Sequence, residues 1–195
     1  MAAPKSTLTG KIKLKKPQKM IVELFNGSET DNEPLGEKYS MDGVVVRDQT
    51  SLSQDDNETT NIEDELSDTP LDTVVTMGAW QFSAQVASFA ADILKDIAGF
   101  KEATVGSAKV YAAPSSAEDR YARVTLCYNP KTGSKGTEYY AVVVPKLKLN
   151  SRIVLESLNS QLGYVNLAGT AEDVELSATL KAPIYTNPAY VIPTA

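Results

Sequence analysis

Residues 73–100 read TVVTMGAWQFSAQVASFAADILKDIAGF and contain an alternating pattern that is followed directly by the only strong helical pattern in the chain. From position 80 onward, apolar and polar residues alternate. The apolar positions are Trp80, Phe82, Ala84 and Val86, and the polar positions between them are Gln81, Ser83 and Gln85. A period of two is typical of a strand with one buried face. The sequence therefore predicts a strand over 73–87 whose apolar face lies in the core.

The second part of this stretch has the period of a helix. From residue 89, apolar side chains recur every four positions and form one stripe. Ser88 can cap the start of a helix, and Gly99 can end it. A helix over 88–98 is too short to be stable alone, so we expect it to pack against the sheet. The predicted core anchors of the whole stretch are Trp80, Phe82, Phe89, Ile93 and Ile97.

The composition excludes several kinds of catalytic and metal site. The chain of 195 residues has no histidine and a single cysteine, Cys127. It therefore lacks the commonest general base and metal ligand, and it cannot form an internal disulfide or a thiolate cluster. Its formal net charge of −6 argues against general affinity for nucleic acid, which requires a basic surface.

The sequence contains no pattern for secretion or for membrane insertion. The first 16 residues lack the apolar core of a signal peptide. No run approaches the ~20 apolar residues that span a bilayer. We therefore expect the protein to be made in a cytoplasm and to remain there at first.

Short alternating segments separated by turn-forming residues recur along the rest of the chain. The clearest are 121–128, 137–144 and 173–181, and residues 129–136 have the composition of a hairpin turn. Segment 137–144 is apolar on both faces, which indicates a central strand. The sequence predicts a mainly β fold, an antiparallel β-sandwich or barrel with one flanking α-helix, in a single domain over 1–195.

Segment 48–72 has the strongest charge bias, with nine acidic residues and no Lys or Arg. We predict an acidic long loop here, because runs of like charge are usually solvated. A second interpretation is that this segment becomes ordered only against a neighbouring subunit, as a hairpin around residues 53–57.

The sequence predicts extended arms at the two ends of the chain. The N-terminal arm, 1–16, belongs to a region, 1–20, that contains six Lys and no acid, and the tail 183–195 contains three prolines. The alternating lysines of the N-terminal arm could protect a sheet edge from aggregation, or they could contact segment 48–72 of another subunit. The candidate interface residues are Lys11, Lys13, Lys15, Asp55, Asp56, Glu58, Glu63, Asp64, Glu65, Tyr185 and Tyr190.

The chain has no recognisable catalytic or ligand-binding motif. It contains no phosphate-binding glycine loop and no nucleophile elbow, and its acidic segment lacks the spacing of an EF-hand loop. A carboxylate-based hydrolase would need two acids in an apolar setting that separates their pKa values, and no such pair is identifiable. We predict no catalytic residues, no metal site and no cofactor, and we interpret Cys127 as a core residue.

Three stretches resemble the major tail tube proteins of long-tailed bacteriophages. The stretches are LSDTPLDTVVTMGAWQFSAQVASFAADILKDIAGF (residues 66–100), EYYAVVVPKLKLN (138–150) and DVELSATLKAP (173–183), which together cover less than half of the chain. The likeness lies in the order and character of the elements. We expect a minimal tube subunit, because no clear domain is recognisable after the third stretch.

The resemblance implies a structural virion protein without catalytic residues or cofactor. Such subunits are β-sandwiches with a flanking helix, and they form hexameric rings that stack into a tail tube through which double-stranded DNA passes into the host. The implied partners are further copies of the chain and other tail proteins, assembled in the host bacterial cytoplasm without a membrane. In this family a long loop and the terminal arms commonly bridge rings, and the matching candidates here are 48–72, 1–16 and 183–195. The net acidity fits a lumen that repels phosphates.

Two other functions remain open at this point. A β-sandwich binding module, such as a capsid decoration or fibre component, would recognise a carbohydrate or protein through aromatic residues such as Tyr139, Tyr185 and Tyr190. The inner tube of a contractile injection machine would share the architecture of the tail tube. The sequence leaves open the ring symmetry and the residues that face the lumen.

Overall fold

The computed structural model describes residues 16–25, 34, 36–64, 67–115, 118–130, 138–154 and 163–192. Most of these residues are in strands. The strands are β1 (Lys19–Leu24), β2 (Lys38–Ser40), β3 (Val45–Gln54), β4 (Glu58–Asp64), β5 (Ser67–Thr76), β6 (Trp80–Val86), β7 (Lys101–Val105), β8 (Ala108–Ala112), β9 (Tyr121–Pro130), β10 (Glu138–Leu149), β11 (Arg152–Val154), β12 (Tyr164–Ala171), β13 (Val174–Ser177), β14 (Leu180–Ala182) and β15 (Tyr185–Val191).

The long strand β10 lies at the centre of a nine-stranded antiparallel sheet. The main path follows the order β2-β1-β9-β10-β12-β6-β3, with β11 added to β12 and β15 added to β10. One edge of β10 pairs with β9. Its other edge is divided, because residues 138–143 pair with β15 and residues 147–149 pair with β12.

Pro145 separates the two halves of β10. Proline has no backbone N–H to donate, so it suits a point where the ladder is interrupted. The register of β10 against β9 shifts here, between Val144 and Leu147, and both of these residues stay buried. Ala141 and Val143 in the first half are buried as well. The prediction of a central, doubly buried strand is therefore confirmed.

The sheet curls so that strands from its two ends share one core. Met20 and Val22 of β1 belong to the same buried cluster as Phe82 and Val86 of β6, although three strands separate β1 from β6 in the sheet order. In a flat sheet with the ~4.8 Å spacing of paired strands, β1 and β6 would lie roughly 19 Å apart. The mainly β, sandwich- or barrel-like fold predicted from the sequence is confirmed.

The helix predicted over 88–98 is shorter and of a different type in the structure. Helical turns begin at Ala91, and the segment Ile93–Ile97 is a π-helix. Its turn is wide, because the Ala98 N–H donates to the Ile93 carbonyl oxygen, five residues back, at 3.0 Å. Gly99 follows at φ +75°, a left-handed conformation that ends the helix.

Four of the five predicted core anchors contact the core. Phe82 and Ile97 are 1% and 0% exposed, Ile93 is buried, and the half-buried Trp80 packs against the same cluster. Phe89 is 43% exposed, so its assignment as a core anchor is wrong. The reason is local, since Phe89 precedes the first helical turn and lies in a stretch without regular structure.

The acidic segment 48–72 contains strands where we predicted a long loop. It includes most of β3, all of β4 and the first half of β5, and β4 pairs with β5 as a hairpin. The hairpin therefore lies beyond residue 57 and not around 53–57. β-Branched residues interleave with the acids here, and they favour strands when the acids can remain in water. The single strand predicted over 73–87 is also divided, into β5 and β6.

The C-terminal part of the chain also differs from the prediction. Most of the tail 183–195 forms β15, which pairs with β10 of its own sheet. Segment 173–181, predicted as one strand, contains a turn between β13 and β14. The turn reverses the chain, so that Val174 is buried but Leu176 and Leu180 are exposed.

The two phenylalanines give a direct test of this core assignment. We expect Phe82→Ala to reduce the free energy of unfolding by about 3–5 kcal/mol, because it removes a fully buried ring. Phe89→Ala serves as the matched control and should cost less than about 1 kcal/mol, since its ring is largely in water. Urea unfolding monitored by Trp80 fluorescence measures both changes. Similar losses for the two variants would contradict the assignment.

Candidate functional site

A two-stranded ribbon extends from the edge of the main sheet. β3 pairs with β6 up to Gln54 and Trp80, and pairing resumes between β4 and β5 at Glu58 and Thr76. Strands β4 and β5 form a sheet of their own, which we call the ribbon. Its described side chains, at 58–60 and 73–76, are all exposed. Because an isolated two-stranded sheet is marginally stable in water, a covering partner would stabilise this ribbon.

Gly78 sets the junction between the ribbon and the main sheet. A Cβ atom at this position would lie 2.7 Å from the Asp56 carbonyl oxygen and closer still to that of Asp55. Only glycine therefore allows the two chain segments to approach so closely. The hydrogen bonds across the junction join Asp55 N to Ala79 O (2.8 Å), Gly78 N to Asn57 Oδ1 (3.1 Å), Gln54 Nε2 to Gly78 O (3.1 Å) and Gln81 Nε2 to Asp55 Oδ2 (3.0 Å).

Apolar side chains are exposed on both faces of the ribbon and at its base. Val74 and Val75 are consecutive in β5, so they point to opposite faces, and Val75 is 57% exposed. Met77 at the junction is 71% exposed. These exposed apolar side chains could contact a partner on either face of the ribbon. The sequence contains a signal for it that we did not use, namely the loss of alternation at Val74 and Val75 before Gly78.

Two further hairpins expose apolar residues. In the hairpin β7–β8, a tight turn at Gly106 (φ +65°) follows Val105, which is 67% exposed. The salt bridge between Lys109 Nζ and Glu102 Oε1, at 2.8 Å, lies along the same hairpin. The hairpin β13–β14 exposes the side chain of Leu180. The fold thus presents apolar groups on three hairpins.

The structure describes only some of the charged residues predicted at an interface. Asp55, Asp56 and Glu58 are exposed at the base of the ribbon. Glu63 and Asp64 belong to β4, but their side chains lie outside the described part of the chain, as do Glu65 and the three lysines Lys11, Lys13 and Lys15. The contact between these lysines and the acidic segment stays a prediction.

Tyr185 and Tyr190 lie on β15 and are half-buried against their own sheet. Tyr190 hydrogen-bonds to Thr125 of β9, and burial, with a smaller effect from Glu23, raises the pKa of its hydroxyl. Tyr139 of β10 is the register partner of Tyr190 and is half-buried too. Intrachain packing therefore uses part of the surface that these tyrosines could offer to a partner.

One groove of about 600 Å³ lies where β1 approaches the start of β3. Its apolar lining includes Met20, Met41 and Tyr128. Charged side chains cross it as two salt bridges, Lys16 with Asp48 and Lys19 with Asp42 (3.4 Å). Each of these two carboxylates is therefore paired with an ammonium group in the groove.

The described residues offer few reactive groups. They contain no cluster of three or more His, Cys, Asp or Glu side chains that could hold a metal ion. The Cys127 thiol is fully buried in β9, and burial raises its pKa to about 11. The neutral thiol is a poor nucleophile. None of the described helices has the length and apolar character needed to cross a membrane.

Comparison with known proteins leaves the family of this chain open. No family model matches the chain, and no curated protein matches it.

Cys127 provides a test of the packing of β9. We expect the native protein to react with a maleimide at pH 8 only after unfolding, because the thiol is both buried and protonated. Mass spectrometry across a urea series measures the modified fraction, which should follow the unfolding curve. Rapid modification of the protein in the absence of urea would contradict the burial of β9.

Gly78 provides a test of the ribbon junction. We expect Gly78→Ala to destabilise the protein by about 1–3 kcal/mol and to speed protease cleavage within residues 58–76, because the added Cβ separates the paired segments. Gly43→Ala is the control, since Gly43 has φ +77° but open space around it. That variant should cost about 1–2 kcal/mol through backbone strain alone and leave the cleavage rate of the ribbon unchanged. Equal cleavage rates in both variants would contradict a steric role for Gly78.

Proposed function

We propose that this protein is a structural subunit that assembles into stacked, hexameric rings and forms the tail tube of a bacteriophage. In this role it belongs to the virion and provides a channel for DNA on its way into the host. The proposal joins the sequence resemblance described above to a fold of the corresponding class, a curled antiparallel sheet with a short flanking helix.

The single observation that carries the proposal is the ribbon. It extends from the sheet as a separate two-stranded unit, and it exposes Val74 and Val75 on opposite faces. Because the two side chains are 46% and 57% exposed, burying the rest of each would contribute about half of the ~1.5–3 kcal/mol for full burial. A second copy of the chain is the simplest partner, because self-association by head-to-tail contact repeats one interface indefinitely and builds a stack.

The alternative binding module receives less support. Its aromatic residues Tyr139, Tyr185 and Tyr190 are half-buried on neighbouring strands and do not form an exposed platform. The inner tube of a contractile machine would have the same subunit architecture, and a neighbouring sheath gene would separate it from the non-contractile tail.

Negative-stain electron microscopy of the concentrated protein tests the proposal. We expect rings or tubes from the full chain. We expect monomers from a variant with Val75→Ser and Met77→Ser, because the substitutions remove apolar area from the proposed subunit contact. Serine is tolerated at these two positions because both side chains are exposed. A variant lacking residues 1–16 tests the contribution of the N-terminal lysines in the same preparation.

The matched control is Leu180→Ser, which removes an exposed apolar side chain from the hairpin β13–β14 instead of the ribbon. It should assemble as the full chain does. Circular dichroism and urea unfolding should be unchanged in every serine variant, so that a loss of assembly reports the contact and not the fold. A strictly monomeric full chain at high concentration would overturn the proposal.

A further inference from the structure

The hairpin β7–β8 has one apolar side and one polar side. Its two strands form a sheet of their own, in which Val105 pairs with Ala108 next to the turn at Gly106. Partners in register, and residues two apart in one strand, lie on the same side of a sheet. One side therefore carries five apolar residues, with Lys101 at its base. We call this side the hairpin face, and its apolar residues are Ala103, Val105, Ala108, Val110 and Ala112.

The hairpin face is in contact with water. Four of its five apolar residues are exposed, and Val110 is half-buried. The opposite side of the hairpin is polar and carries the salt bridge between Lys109 and Glu102. A sheet with one apolar side normally buries that side against another layer. Within the described part of the chain, the hairpin face lacks such a covering layer.

We infer that the hairpin face binds the ribbon of a neighbouring copy of the chain, an inference that rests on the proposed function. A head-to-tail contact joins two different surfaces of one subunit, so the ribbon needs a second surface to bind. The side of the ribbon that fits contains Val75 together with Thr59 and Thr73. The other side contains Val74 but also Glu58, whose carboxylate would lose its hydration against an apolar surface.

Charge disfavours a second ribbon as the partner of the ribbon. Residues 58–76 contain six acids and no Lys or Arg, so two ribbons in contact would repel each other. At the hairpin β7–β8, Glu102 pairs with Lys109, and Glu118 pairs with Lys101 at 2.6 Å. Both pairings lower the pKa of the carboxyl group. Because these two carboxylates are compensated by lysines, they add little repulsion when an acidic ribbon approaches.

Size favours the hairpin face over the hairpin β13–β14. The strands β13 and β14 have four and three residues, and their large exposed apolar side chains are Leu176 and Leu180. The strands β7 and β8 have five residues each. At ~3.4 Å per residue and ~4.8 Å between strands, the hairpin face measures roughly 170 Å².

This area fits a contact that an assembly repeats. A stable complex of two proteins buries about 800 Å² on each partner, several times the area of the hairpin face. The ribbon and the hairpin face would therefore bind two free chains only weakly. Stacked rings repeat the contact at every subunit, and linked contacts gain strength through their high effective concentration. A second copy of the chain, present in every ring, is the occupant that this arithmetic favours.

Crosslinking between copies tests the inference. Equal amounts of two variants, Val75→Cys and Val105→Cys, are assembled together. Each chain then has one exposed thiol, because the native Cys127 is buried. Facing sheets pack about 10 Å apart, which is too far for a disulfide, so a bismaleimide of that length joins the thiols. Microscopy detects the tubes, and mass spectrometry identifies the linked peptides.

Two further variants complete the design. The matched control replaces Val105→Cys with Leu180→Cys, which places an exposed thiol on the hairpin β13–β14. Thr59→Cys lies on the same side of the ribbon as Val75 and repeats the measurement from the neighbouring strand. Each variant is also assembled alone, so that links between identical positions are detected.

In tubes, we expect a dimer that links residue 75 or 59 of one copy to residue 105 of another, and we expect this dimer to be lost in unassembled protein. Tubes that link 105 to 105, or 75 to 180, would overturn this inference alone. Tubes in which neither ribbon variant forms a link to 105 would also overturn it. Absence of tubes from the unsubstituted chain would overturn the proposed function, and the inference with it.

Discussion

The divided pairing of β10 is the constraint on which the rest of the fold depends. One strand cannot offer the same edge to two neighbours at one point, so β15 takes the first half of that edge and β12 takes the second. Pro145 lies between the two halves, where a residue without an N–H removes no ladder bond that is needed. The register of β10 against β9 shifts at this division, and residues of β1 and β6 belong to one buried cluster.

The ribbon lies outside the core of the curled sheet. Strands β3 and β6 pair at the edge of the sheet, and the chain between them forms the ribbon instead of a short turn. Gly78 allows the close approach of the two backbones at this junction because it has no side chain. The strand that follows the ribbon thus also contributes to the core, because Phe82 and Val86 of β6 are buried.

Much of the core was predictable from particular residues. The alternation around Phe82 and the doubly apolar segment before Pro145 both correspond to buried strands. Phe89 was placed wrongly because a four-residue spacing does not reveal that the helical turns start only at Ala91 and continue as a π-helix from Ile93. The acidic segment was taken for a loop because charge patterns report solvation. They do not report whether a solvated chain is paired, as β4 and β5 are.

By itself, the sequence determined the mainly β class and the buried face of β6, since these depend on composition and on neighbours along the chain. Only the tertiary structure decided where the strands end, which edges pair and which outward side chains share a surface. Ser53, Gln81 and Thr170 are far apart in the chain, and only the register of three strands unites them. The physical reason is that the pairing of distant strands depends on the sum of many weak contacts between them. A pattern of neighbouring residues along the chain does not contain that information.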